Sequence, residues 1–195
     1  LKRLYAPGLV AAERKNDSLF VRIAAEAATQ FVKLSVDILT LDDSSIVEHL
    51  CASGLRKGIN EFAYPIRDFE SKPIDMRNAK AVISVFDGSK NILQAEPIAR
   101  HVVYFVAPKE LRLRKTTPEF TLQQDGEMFR ISLRSKHLIK DLQLSIANTK
   151  ASLSDNFFDL SPDSPRTIEI VAPGVKTVSE LERLLRFTDL YSLMH

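Results

Sequence analysis

The sequence predicts an all-β protein built from two consecutive β-sandwiches, residues 1–106 and 107–195. Three observations lead there. Short stretches alternate apolar and polar residues with period two, which puts one face of a strand in a core and the other in solvent. Turn chemistry separates these stretches. No long amphipathic helix interrupts them.

Residues 1–17 open on an aromatic-proline segment and close on a charged turn, Glu13-Arg14-Lys15-Asn16-Asp17. Leu19, Val21 and Ile23 then alternate with Phe20 and Arg22. Val32, Leu34, Val36 and Ile38 repeat the pattern against Lys33, Ser35 and Asp37. The intervening residues 24–30 are alanine-rich but too short for a stable helix, and read as strand end plus loop. Leu41-Asp42-Asp43-Ser44 closes the second strand, and residues 46–50 read as a short third. Gly54 and Gly58 punctuate a loop. Phe62, Tyr64 and Ile66 alternate again, with Pro65 marking an edge or a strand end. Ala81, Ile83 and Val85 form a strand stopped by Asp87-Gly88, and residues 102–106 add an apolar run. The first half thus holds about six or seven short strands, a sandwich-like number.

Beyond Ala107-Pro108, Leu111 and Leu113 alternate with Arg112 and Arg114. Phe120 and Leu122 lead through Asp125-Gly126 to Phe129, Ile131 and Leu133, the strongest hairpin signal in the chain. Leu142, Leu144 and Ile146 follow. In Ser154-Asp155-Asn156-Phe157-Phe158-Asp159-Leu160, either aromatic can plug a core while Asp155, Asn156 and Asp159 satisfy nearby backbone donors. Residues 167–171 form another strand before Pro173-Gly174. Ser179 with Glu182 fits a capping box and predicts about one helical turn; residues 185–191 then read as the final strand. No repeat of fixed short period is present, and the two halves look like two copies of one architecture without obvious sequence identity.

Composition narrows the function. The chain has 195 residues, 45% hydrophobic and 27% charged, and a net charge of +2, so no field favours nucleic acid or an anionic membrane. No apolar run approaches the ~20 residues of a membrane helix. The first residue is Leu1 rather than Met, which reads as a fragment or processed product. Cys51 is the single cysteine and excludes an internal disulfide. Asn16-Asp17-Ser18 fits the glycosylation acceptor pattern, a common chance match.

Candidate site residues are few. Acid–base chemistry by a carboxylate pair needs two acids that face one reacting bond. Glu48, Glu61, Asp68, Asp155 and Asp159 are the possible carboxylates, and none sits in a marking context; each reads as a solvated side chain or a turn bond. His49-x-Cys51 could share one strand face as metal ligands, but His101, His137 and His195 supply no second pair. Nothing beside Cys51 would depress its pKa and make it a nucleophile. Asp155, Asp159 and Asp163 lack EF-hand spacing. The basic run at residues 109–115 reads as one charged strand face guarding a sheet edge. Sugar binding by a sandwich favours exposed aromatics; the chain has no Trp, and Tyr5, Tyr64, Tyr104, Tyr191 and the phenylalanines fall mostly at core positions.

Ser-Asp-Asn-Phe-Phe-Asp-Leu at 154–160, followed by a proline turn and Thr-Ile-Glu-Ile at 167–170, resembles the C-terminal immunoglobulin-like domain of β-mannosidases, multidomain family 2 glycoside hydrolases. Lys2-Arg3-Leu4-Tyr5-Ala6-Pro7 resembles the segment after their catalytic barrel. Residues 104–111, Tyr-Phe-Val-Ala-Pro-Lys-Glu-Leu, resemble the junction between their last two sandwiches. The matches occur in family order across nearly the whole chain. The resemblance implies two immunoglobulin-like sandwiches joined near residues 106–110, with Tyr5 and Pro7 close to the barrel junction. It implies an accessory scaffold of a retaining enzyme that hydrolyses terminal non-reducing β-D-mannose residues without a cofactor. The two catalytic glutamates would belong to the barrel, so this chain would carry no catalytic, cofactor or metal residue. Its partners would be that barrel and, through it, the β-mannoside, with no nucleic acid and no membrane insertion. A glycan-degrading parent favours a periplasmic, extracellular or lysosomal setting. Two other readings stay open: an independent carbohydrate-binding module, and immunoglobulin-like repeats of a cell-surface adhesion protein. An exo-β-glucosaminidase parent is a variant of the hydrolase reading.

Overall fold

The computed structural model describes residues 8–25, 31–66, 74–91 and 94–195. They fall into two units, Leu1–Thr40 with Ser44–Leu111, and Leu41–Asp43 with Arg112–His195. Every described strand pairing in both is antiparallel.

In the first unit the strands are β1 (Gly8–Lys15), β2 (Ser18–Ala25), β3 (Phe31–Thr40), β4 (Ser45–Gly54), β5 (Gly58–Pro65), β6 (Ala79–Asp87) and β7 (Ala99–Tyr104). One sheet has the order β1-β2-β5 and the other β4-β3-β6-β7. The pairings β2–β5 and β3–β6 join strands that are not consecutive in the chain, as Greek-key connections in sandwiches do. The two sheets share one core: Leu19, Val21 and Ile23 of β2 meet Leu34, Val36 and Ile38 of β3 and Ala81, Ile83 and Val85 of β6. Burying each of these Leu, Val and Ile side chains contributes roughly 1.5–3 kcal/mol against the entropy of ordering the chain. Strand β6 is buried on both faces over seven successive residues from Ala79 to Val85, with Lys80, Val82 and Ser84 on the face away from that core.

The β1–β2 hairpin closes on Asn16-Asp17, between the paired Lys15 and Ser18. Asn16 takes φ +54, a left-handed backbone that Asn tolerates. The charged residues Glu13, Arg14 and Lys15, expected in a turn, are the end of β1. Pro65 ends β5, which lies at a sheet edge and therefore needs no ladder donor there.

In the second unit the strands are β8 (Glu119–Asp125), β9 (Met128–Arg134), β10 (Ile139–Ile146), β11 (Ser152–Leu153), β12 (Phe158–Leu160), β13 (Arg166–Val171) and β14 (Leu185–Thr188). The sheets are β11-β13-β9-β8 and β12-β10-β14. Their common core joins Phe129, Ile131 and Leu133 to Ile168 and Ile170 on one side and to Leu142, Leu144, Phe158 and Leu160 on the other. The Asp125-Gly126 hairpin forms, with Gly126 at φ +62 in the first of two loop positions.

Three sequence expectations are corrected here. Residues 111–118 belong to no described ladder; Leu111 is buried, but a 3-10 turn, Pro108–Glu110, precedes the stretch and Pro118 closes it, so the basic run is not an edge strand. The C-terminal helix is α1 (Val178–Leu184), about two turns rather than one, and its cap is Thr177, whose hydroxyl accepts from the Glu180 amide. Thr177-x-x-Glu180 is the same box pattern two residues earlier; this start buries Leu181 in the core, and the Glu180 carboxylate accepts from the Lys176 amide. The last strand stops at Thr188, because Asp189 accepts from the Ser192 amide and starts a short helix, α2 (Leu190–Met194).

Burial holds the His101 imidazole of β7 below its ordinary value, and a hydrogen bond to the Ala12 backbone works against that shift. The unfolded chain therefore binds this proton more readily. The stability it contributes is complete above about pH 6.5 and declines as pH falls below that value. Urea midpoints are expected to drop between about pH 7.5 and about pH 5.5, and His101→Gln to make the drop smaller. An identical drop in both proteins would contradict this.

Candidate functional site

The residues with the most specific local geometry lie at 154–159, where the chain passes from one sheet of the second sandwich to the other. Strand β11 pairs with β13 at Ser152–Val171 and Leu153–Ile170. Ser154 continues that register: its amide donates to the Glu169 carbonyl at 2.9 Å and its hydroxyl accepts from the Glu169 amide at 2.9 Å. Two residues later the chain is fixed to the opposite sheet. The Asn156 Oδ1 accepts from the Leu144 amide at 2.8 Å, and its Nδ2 donates to the Leu144 carbonyl at 2.9 Å.

The register explains that pair. Phe158 faces Leu142 across the β10–β12 ladder. The next antiparallel position brings residue 156 opposite Leu144, where the Asn156 carboxamide takes the place of a strand's backbone amide and carbonyl. Its Oδ1 also accepts from the Phe157 amide at 3.1 Å, and Asp155 Oδ1 accepts from the Asn156 amide at 3.0 Å. Phe157 takes φ +56 and turns the chain from the corner into β12. That inversion sends the two aromatics opposite ways: Phe158 is 4% exposed and plugs the core, while Phe157 is 67% exposed. The Arg166 guanidinium lies 5.7 Å from the centre of the Phe158 ring, within cation–π range.

Asp159 serves the neighbouring strand. Strand β10 carries a bulge between Ile139 and Leu142, with Asp141 at φ +55. Asp159 Oδ1 accepts from the Asp141 amide at 3.0 Å and lies 3.1 Å from Lys140 Nζ, which also bonds Asp141. Burial alone would lower the Lys140 ammonium; its bonds to Asp141 and Asp159 outweigh that and hold it above the usual lysine value. A bulge leaves one residue out of the ladder, and here Asp159 supplies the acceptor that its amide needs.

Of the carboxylates considered from the sequence, Asp155 and Asp159 both lie in this stretch, and each accepts from a different backbone amide. Glu61 lies in the first unit, on the exposed face of β5, 2.6 Å from Arg22 Nε; Glu13 faces the same guanidinium at 3.0 Å. Exposed pairs of this kind contribute little stability. Asp68, Tyr5 and Pro7 lie outside the described residues, as do the side chains of Glu48, His49 and Cys51. Among the described residues no group of three His, Cys, Asp or Glu is placed to hold a metal ion.

A family model for an Ig-fold domain of the mannosidase type matches residues 113–193. A β-D-mannosidase structure from Dictyoglomus thermophilum is 18% identical, with a TM-score of 0.64; the match covers 97% of this chain and 22% of that one. An exo-chitosanase structure from Amycolatopsis orientalis is 11% identical, with a TM-score of 0.50 and coverage of 96% and 26%. The chain therefore spans about a quarter or less of the length of these solved neighbours. No curated protein matches it.

Asn156→Ala leaves the Leu144 amide and carbonyl without these partners, and is expected to cost about 1–3 kcal/mol for each group left unpaired. Phe158→Ala is expected to cost about 3–5 kcal/mol through the cavity it opens. Urea unfolding checks both; an Asn156→Ala effect below about 0.5 kcal/mol, the range of an ordinary surface change, would contradict the ladder role. The chain is thus a pair of β-sandwiches similar in fold to part of a β-mannosidase, and residues 113–193 of the second sandwich match the mannosidase-type Ig-fold domain.

Proposed function

We propose that this chain is an accessory region of a retaining, exo-acting β-mannosidase that hydrolyses terminal non-reducing β-D-mannose residues. The match of residues 113–193 to the mannosidase-type Ig-fold domain carries this reading. In it, residues 1–106 and 107–195 are two scaffold sandwiches that pack on a catalytic barrel supplied by the rest of the parent polypeptide. They contribute no catalytic carboxylate, no cofactor and no metal ligand. The engagement of Asp155 and Asp159 in backbone bonds supports a structural rather than an acid–base role for them. The exo-chitosanase neighbour favours a second reading, a related parent acting on β-glucosaminides.

The test uses the longest natural polypeptide that contains this chain. It is expected to release nitrophenol from the β-mannoside, and much less from the β-glucosaminide and β-galactoside. Preference for the β-glucosaminide would move the specificity to the second reading. No turnover of any of them would overturn the hydrolase reading and favour a carbohydrate-binding or adhesion module.

A further inference from the structure

Phe157 is a large apolar ring 67% exposed on a backbone at φ +56. Bulky residues rarely adopt that left-handed conformation, and persist in it where the surroundings over-determine it. Here they do. Ser154 is fixed to Glu169 on one sheet and Asn156 to Leu144 on the other. Phe158, next along, is locked in the core. The ring of Phe157 is therefore presented outward from a platform pinned on both sides, with little ordering entropy left to lose on contact.

The polar atoms around it narrow what it meets. Asn156 spends both ends of its carboxamide on Leu144, Asp155 bonds the Asn156 amide, and Asp159 bonds the Asp141 amide. A sugar ring stacked on Phe157 would need donors and acceptors for its hydroxyls, and Asn156 Oδ1, Asp155 Oδ1 and Asp159 Oδ1 already accept N–H groups of the fold. An apolar recess on a protein surface asks only for the ring. The Dictyoglomus neighbour carries the same pair of folds as 22% of its chain, so most of that polypeptide lies outside the matched segment.

We propose that Phe157 is a docking anchor that inserts into an apolar recess on the remaining polypeptide of the parent enzyme. This rests on the accessory-region reading above. Hydroxyl-radical footprinting with mass spectrometry tests it on two samples, residues 1–195 and the longest natural polypeptide, whose mass is measured first. Phe157 is expected to be oxidised readily in residues 1–195 and several-fold more slowly in the longer polypeptide. Phe158, buried within its own sandwich, should be slow in both and serves as the internal reference. Equal labelling of Phe157 in both samples would overturn the anchor while leaving the accessory-region reading standing. Protection that appears only on adding mannooligosaccharide would overturn it in favour of a sugar platform. A natural polypeptide no longer than this chain would overturn both readings at once.

A variant gives an independent readout. Phe157→Gly suits a positive φ and removes an exposed ring, so residues 1–195 are expected to keep or raise their melting temperature. The longer polypeptide is expected to lose several degrees. A rise in both samples would overturn the anchor.

Discussion

The second sandwich depends on two residues whose side chains act as backbone. Ser154 extends the β11–β13 ladder by one position, and Asn156 extends the β10–β12 ladder by one position in the opposite sheet. A chain that changes sheets must leave one set of ladder partners before it reaches the next, and each abandoned amide or carbonyl is costly when shielded from water. Here the crossing is made within about four residues because short polar side chains fill the vacated ladder sites. Phe158 and Leu160 are then delivered to the core at the required register.

The same device recurs one strand away. The bulge in β10 places Ile139 and Leu142 in one core although they lie an odd three positions apart, which a regular strand cannot do. Asp141 absorbs the difference with a left-handed backbone, and Asp159 bonds the displaced amide. The acids of this region thus stand where a backbone donor lacks a partner. This is the physical content behind the accessory role proposed for the chain, since these carboxylates hold the corner and the bulge in place.

Much of the architecture was legible in the residues. Leu19-Val21-Ile23, Leu34-Val36-Ile38 and Phe129-Ile131-Leu133 alternate cleanly because one face of each strand meets a core and the other meets water. Asp125-Gly126 marked its hairpin because few residues take φ +62 as readily as Gly. Strand β1 was hidden, because Val10 is its only buried hydrophobic among the described side chains and its pairing follows from the Asn16 turn. Residues 111–113 showed the opposite failure: alternation without a neighbouring strand does not make a ladder. The end of the chain misled for a third reason, since Thr177 and Ser179 open overlapping capping patterns and only the burial of Leu181 decides between them. At the corner the sequence supplied the residue types, and left open which aromatic would turn inward. That choice depends on the ladder position of Asn156, which is a tertiary fact. Nor could the residues reveal the bulge at Lys140-Asp141, although the three-residue spacing of Ile139 and Leu142 was its one available sign.

The most direct test of this account is residue-resolved native-state hydrogen exchange at the Leu144 and Glu169 amides. Both donate to side-chain oxygens rather than to a backbone carbonyl. If the corner is integral to the sandwich, both amides exchange only through global unfolding of the second unit, with protection equal to that of Ile131 and Ile168 at its centre. Exchange of Leu144 and Glu169 at the rate of exposed turn amides, while Ile131 and Ile168 stay protected, would contradict it.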